Sequence, residues 1–135
     1  MLYFLILSML VHKQPLNHSI VVTIADIKPS KGSIFIALYD VNNFLTTTYS
    51  LTKVVVAGKV TTQQITLPTV STGTYAIAVY QDVNNNRQLD KNFVGLPVEP
   101  FGFSNNVRPV FSAPSFGEVK FRHSNQATAL HISLD

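Results

Sequence analysis

The chain has 135 residues, ten of them basic and seven acidic, with a formal net charge of +3 and a pI of about 9.3. That length carries one domain with a proper core, and the low charged fraction of 13% with plentiful β-branched and aromatic residues points to an all-β class rather than disorder or a coiled coil. The basic residues stand singly, which leaves no nucleic-acid footprint, and the absence of cysteine excludes a disulfide framework, a thiolate metal site and a cysteine nucleophile.

The first stretch, Met1 to Val11, is apolar and uncharged. It is shorter than the roughly 20 residues that cross a bilayer and fits the apolar region of a secretory signal peptide. Residues 1–17 are therefore read as a leader and 18–135 as a single domain. This predicts export to the periplasm, outer envelope or medium, with no transmembrane span in the mature chain. A buried N-terminal strand is the alternative reading.

Ser19 to Ile27 alternates with a period of two and predicts a strand, with Ile20, Val22 and Ile24 on one face. Lys28 to Gly32 is a turn. Ser33 to Tyr39 is read as the return strand, forming a hairpin with the first, with Ile34, Ile36 and Leu38 facing the core. Asp40 to Tyr49 is a loop in which Phe44 and Leu45 tuck back as a plug. Leu51 to Val56 and Lys59 to Leu67 are further strands, the second near a sheet edge because its middle is polar. Thr74 to Tyr80 is the best strand. It sets Tyr75, Ile77 and Val79 against Ala76, Ala78 and Tyr80, which predicts a central strand covered on both faces. Tyr75, just after a turn, is placed to bond back to the preceding loop as in a tyrosine corner, or to serve as an ordinary core tyrosine. Phe116 to Arg122 and Thr128 to Leu134 are read as closing strands. About seven short strands with no convincing helix favour a β-sandwich over a barrel.

Between the last two groups lies Gln81 to Asn106, polar and turn-rich. Asp82, Asn84, Asn86, Gln88 and Asp90 fall at alternate positions one, three, five, seven and nine. Side-chain oxygens at that spacing, with a carbonyl at the seventh place, are how a chain wraps Ca²⁺, which takes roughly six to eight oxygen ligands. Arg87 and Phe93 stand where an EF-hand loop has its glycine and its bidentate glutamate, so a bound Ca²⁺ would be weak, at roughly 10⁻⁴ to 10⁻³ M. A metal-free turn, capped by its own Asn and Asp side chains, is the competing reading. The phenylalanines that follow are expected to anchor the excursion on the sandwich. Their alternative is an aromatic-lined pocket for a sugar or other flat ligand, with Glu99, Ser104, Asn105, Asn106 and Arg108 as polar groups.

The run GTYAIAVYQDVNNNRQLDKNFVGLPVEPFGFSNN, with APSFGEVKF after it, resembles the bacterial domain of unknown function 2141 family. The resemblance covers roughly residues 19–134. It implies an exported bacterial protein with an immunoglobulin-like or transthyretin-like sandwich and no established activity. By motif position the matching polar residues are Asp82, Asn84, Asn86, Asp90, Glu99, Ser104, Asn105 and Asn106. Gln81 stands where the family has His, and Asn85 and Arg87 replace loop glycines.

Three functions follow as expectations. The first is a non-enzymatic exported module that binds an unidentified protein or small ligand, its loop stiffened by Ca²⁺. The second is a structural envelope or adhesin-like domain without a ligand. The third is a hydrolase using Asp82, Asp90 or Glu99 as acid and base. No Ser-His-Asp or metal-hydrolase motif supports the third, and His12, His18, His123 and His131 all read as solvent or edge histidines.

Overall fold

The alternation in the sequence is realised as two β-sheets whose apolar faces meet. The computed structural model describes residues 17–95 and 97–135. Its strands are β1 (Asn17–Ala25), β2 (Ser33–Tyr39), β3 (Leu51–Val56), β4 (Gln63–Ser71), β5 (Gly73–Asp82), β6 (Phe101–Phe103), β7 (Phe121–His123) and β8 (Thr128–Ser133). One helical turn, α1 (Phe116–Val119), and a 3-10 turn at Ser104–Asn106 complete the described elements. All but the last residue of the expected leader, residues 1–17, lies outside the described residues. β1 starts at Asn17, one residue ahead of the expected domain boundary.

β4, β1 and β8 form one sheet, in which β1 runs antiparallel to β4 and parallel to β8. The order β3-β2-β5-β6 forms the other, with β7 pairing the start of β5. Ile20, Val22 and Ile24 of β1 meet Ile34, Ile36 and Leu38 of β2 across a shared core that also takes Ile65, Leu67, Ile77, Val79 and Ile132. The all-β expectation holds, and the strand bounds of β2 and β3 are as expected.

The β1–β2 hairpin is corrected. The two strands lie in different sheets, because residues 26–32 carry the chain across the core edge instead of turning it back. Ile27 N–H donates to Thr61 O at 2.9 Å and Ser30 N–H to Gly58 O at 2.8 Å, so the crossing is stitched to the segment before β4. Those carbonyls are thereby taken from the ladder, and β4 begins at Gln63 rather than Lys59. β4 is an edge strand, as its polar middle suggested. It carries Pro68 at a bulge: His18 pairs Val70 while Ile20 pairs Leu67, one extra residue on β4. A proline that cannot donate to a ladder is tolerated there, and the extra residue turns Val70 back to the core.

Both faces of β5 are covered. Ile77 and Val79 enter the main core, while Ala76 packs in a second cluster with Phe103 and Val119, against which Phe44, Phe101 and Phe116 rest. Tyr75 makes the corner bond, donating its hydroxyl to Ser71 O at 2.8 Å. Phe44 plugs as expected, its ring 5.7 Å from that of Phe116. Leu45 does not; it is exposed and in the left-handed region. The closing strand at Phe116 to Arg122 is also corrected. Ser115 Oγ accepts the Glu118 N–H at 3.3 Å and the Glu118 carboxylate accepts the Ser115 N–H at 3.2 Å, a capping box that starts α1 before the chain extends into β7.

β6 returns the long excursion to the sheets. Gly102 packs so closely there that an added Cβ would sit 2.8 Å from Ile132 Cγ2 and 2.9 Å from Ser133 O. Phe101 N–H and Asp135 N–H donate to each other's carbonyls at 3.3 and 3.0 Å, which joins the edges of the two sheets at the base of the excursion.

Candidate functional site

β5 delivers Asp82 to the rim, and the chain turns at once. Asn85 N–H donates to Asp82 O at 3.3 Å. Asn85 and Arg87 adopt positive φ, +54° and +64°. These are the two positions where the family resemblance implies glycine, and Asn tolerates the left-handed region far better than Arg. The buried Asp82 carboxylate stabilises the turn by accepting the backbone N–H of Asn86 at 3.1 Å and of Arg87 at 2.7 Å. Asn84 Oδ1 accepts the Asn86 N–H at 3.3 Å, and Asn86 Oδ1 the Gln88 N–H at 3.0 Å.

Glu99 closes the loop. Its carboxylate is buried and accepts the N–H of Val83 at 2.7 Å and of Asp90 at 2.9 Å, bracing both ends of the nine-residue turn from a distant point in the chain. Val98 N–H donates to Asp90 O at 2.9 Å beside it. Asp90 in turn accepts the side-chain amides of Asn86 and Asn84, each at 2.7 Å. Those bonds, that from Asn86 first, hold the Asp90 carboxyl below the ordinary carboxylate range.

Of the five residues expected to ligate Ca²⁺, the structure brings three side chains together: Asn84, Asn86 and Asp90. Asp82 is at the loop base with both oxygens on backbone N–H groups, and Gln88, from which a backbone carbonyl was expected, is an exposed residue. As placed, the two Asn side chains turn their amide N–H groups to Asp90 and their oxygens to backbone N–H groups, so one carboxylate converges where strong sites use several.

The other expected set, Glu99, Ser104, Asn105, Asn106 and Arg108, is not gathered round one pocket. Glu99 is the loop brace. Ser104 is buried, accepting Ile77 N–H at 3.0 Å and donating to Val119 O. Asn105 donates to Lys120 O at 2.9 Å, and Asn106 both donates to His131 O at 3.0 Å and accepts Ser133 N–H at 2.9 Å. Arg108 pairs with Asp135 at 3.1 Å. Four of the five thus fasten the excursion to β5, α1, β8 and the last residue. The cavity beside them measures about 20 Å³, room for a water molecule.

The phenylalanines divide. Phe101 and Phe103 anchor, their rings 6.0 Å apart against the second cluster. Phe93 does not; it is fully exposed at the loop tip beside exposed Val94, and Phe111 is exposed on the next bend. His123 is corrected too. It is fully buried, its Nε2 facing the carbonyls of Val70 at 3.0 Å and His18 at 3.1 Å and its Nδ1 the Thr128 hydroxyl at 2.7 Å. Two carbonyl partners require that Nε2 carry the proton and donate.

A cleft of about 360 Å³ on the outer face of the β3-β2-β5 sheet had no sequence forecast. Phe35 of β2 stands directly opposite Tyr80 of β5 in the ladder, and Tyr49 arrives from the loop before β3. The signal was present in the alternation, since Phe35 and Tyr80 both lie on the faces turned away from the core.

No curated protein and no solved structure shows significant similarity to the chain. The family model described as "Uncharacterized protein conserved in bacteria (DUF2141)" matches residues 22–131, and the chain belongs to that family.

Proposed function

We propose that the chain is an exported, non-enzymatic binding module with an immunoglobulin-like or transthyretin-like sandwich, and that it recognises a protein partner through the 82–99 loop. The observation that carries this reading is Phe93, fully exposed at the tip of a loop whose base is locked by Asp82 and Glu99. A large apolar side chain held out on a braced loop gives contact area at small ordering cost. Against acid–base chemistry stands the use of the carboxylates. Asp82 and Glu99 are spent on backbone N–H groups, and Asp90 is held in its ionised form rather than raised toward neutrality. Export rests on the apolar first residues of the chain.

Ca²⁺ is a weak accessory in this reading, held by Asn84, Asn86 and Asp90 with water completing its shell. It supplies positive charge that ties the two halves of the turn. At about 10 mM Ca²⁺ and a Kd of about 1 mM the linkage amounts to about 1.4 kcal/mol. The experiment places a photo-reactive phenylalanine analogue at position 93, and in a second protein at exposed Lys59. A discrete cross-linked protein from bacterial envelope extract at position 93 alone supports the reading, and none at position 93 sinks it. Melts with Ca²⁺ and with chelator test the metal clause separately. A structural, adhesin-like role is the second reading, favoured by exposed Val54 and Val56 on the free edge strand β3.

A further inference from the structure

We propose that the cleft on the outer face of the β3-β2-β5 sheet is a binding site for a neutral sugar, taken as the end of an oligosaccharide. This goes beyond the loop-tip reading and does not depend on it. The cleft is lined by Ser33, Phe35, Tyr49, Val54, Tyr80, Asp82 and Arg87, and its volume of about 360 Å³ lies within the usual range of small-molecule sites.

Its floor is aromatic. The Phe35 ring lies 5.0 Å from Tyr80 at a tilt of 36°, and 5.5 Å from Tyr49 nearly edge-on. Such a floor matches the flat C–H face of a pyranose, and the phenols add a polar end to each tyrosine ring. Among the described residues the hydroxyls of Tyr49 and Tyr80 and the guanidinium of Arg87 have no hydrogen-bond or ionic partner, so these donors are uncommitted. Burial, then the charge of Asp82, raises the Tyr80 phenol above its ordinary range and keeps it a donor.

The charges select the occupant. Asp82 and Arg87 line the same cleft with opposite signs. An anion would meet Asp82, whose charge, ahead of those of Glu99 and Asp90, raises the Tyr80 phenol. A cation would meet Arg87. A polyhydroxyl ring meets neither penalty, because its hydroxyls carry no charge and can accept from the guanidinium or donate to and accept from the two phenols. Shape and charge therefore agree on an uncharged ligand with one apolar face and a rim of hydroxyls.

The test titrates the full chain, followed by amide NMR, with cellotriose, chitotriose and maltotriose as neutral probes, trigalacturonate as the acidic probe and choline as the cationic one. At least one neutral trisaccharide is expected to shift the signals of residues 33–35, 49, 54, 80 and 87 with millimolar affinity. Tyr49→Ala and Arg87→Ala, both at exposed positions, are each expected to weaken that affinity by about fivefold or more with the spectrum otherwise retained. Phe93→Ala is expected to leave it unchanged, which separates this site from the loop tip. No shift with any neutral probe at about 20 mM, tighter binding of trigalacturonate or choline, or indifference to both cleft substitutions would each overturn the proposal.

Discussion

The Gln81 side chain clasps the backbone of Lys28 from both sides. Its Oε1 accepts the Lys28 N–H at 2.9 Å, and its Nε2 donates to Lys28 O at 2.7 Å and to Lys31 O at 2.7 Å. Gln81 is completely buried at the end of β5, so one amide satisfies three groups of the crossing that links the two sheets. Gln81→Leu is nearly equal in size but takes the partner from all three groups, in a part-buried place. We expect it to lower stability by about 2–4 kcal/mol, read from urea unfolding. Retention of full stability would show that the crossing does not need this bond set.

Gly32 meets the same strand end from the other side. Its φ is +62°, and a Cβ built there would lie 1.8 Å from Asp82 O and 2.9 Å from the Val83 carbonyl carbon. Both obstacles are backbone and cannot swing aside. Gly32→Ala is expected to cost more than about 2 kcal/mol and to disturb the 82–90 turn, visible as shifted amide signals for Asn85 to Arg87. Gly95→Ala is the control, since a Cβ at Gly95 meets nothing within 4 Å and only its positive φ of +83° is strained. Equal effects at the two glycines would remove the steric argument.

These contacts explain which parts of the molecule were legible from residues alone. β2 and β3 were readable as strands because a short apolar, β-branched run bounded by turn residues is a local signal, though their partners were not. The β1–β2 hairpin was misread because Ile20, Val22 and Ile24 alternate in the same way whether Ile34 and Ile36 lie beside them or across the core. The capping pair Ser115 and Glu118 was passed over, because the apolar Phe116 and Val119 beside it suggested a strand. In the loop, the meeting of Asn84, Asn86 and Asp90 was implied by their spacing. The bracing by Glu99 was not, because it depends on β6 bringing the chain back beside β5. The facing of Phe35 and Tyr80 depends on ladder register in the same way, and register is a property of two strands at once.

Glu99→Gln tests the brace. A carboxylate offers an acceptor to both Val83 N–H and Asp90 N–H, whereas a carboxamide offers one oxygen and turns an NH₂ group toward the other donor. One bond is lost and two donors are set face to face in a buried place. The expected loss is about 1–3 kcal/mol, with faster hydrogen exchange at Val83 and Asp90 and little change in the β1–β4 pairing. Unchanged exchange at both amides would assign the loop's order to Asp82 alone.

Tyr39 predicts an alkaline limit. Its ring is buried against Phe44 at 5.7 Å and Tyr49 at 5.7 Å, and that burial, helped by the nearby phenols of Tyr49 and Tyr80, pushes its hydroxyl up to about 12. An unfolded tyrosine ionises near pH 10. Below about pH 10 both states hold the proton and this group adds no pH dependence. Between about pH 10 and 12 the unfolded chain releases a proton that the folded chain keeps, so stability falls as pH rises, by about 1–2 kcal/mol from this group once solvent screening is allowed for, and levels off beyond. Tyr39→Phe removes the ionisable group and is expected to flatten that part of the stability curve relative to the parent. Denaturant melts of both proteins at stepped alkaline pH make the comparison, with phenolate absorbance counting the late-titrating tyrosines. Parallel curves for the two proteins would mean that Tyr39 ionises in the folded state as readily as in water, and that its burial is incomplete in solution.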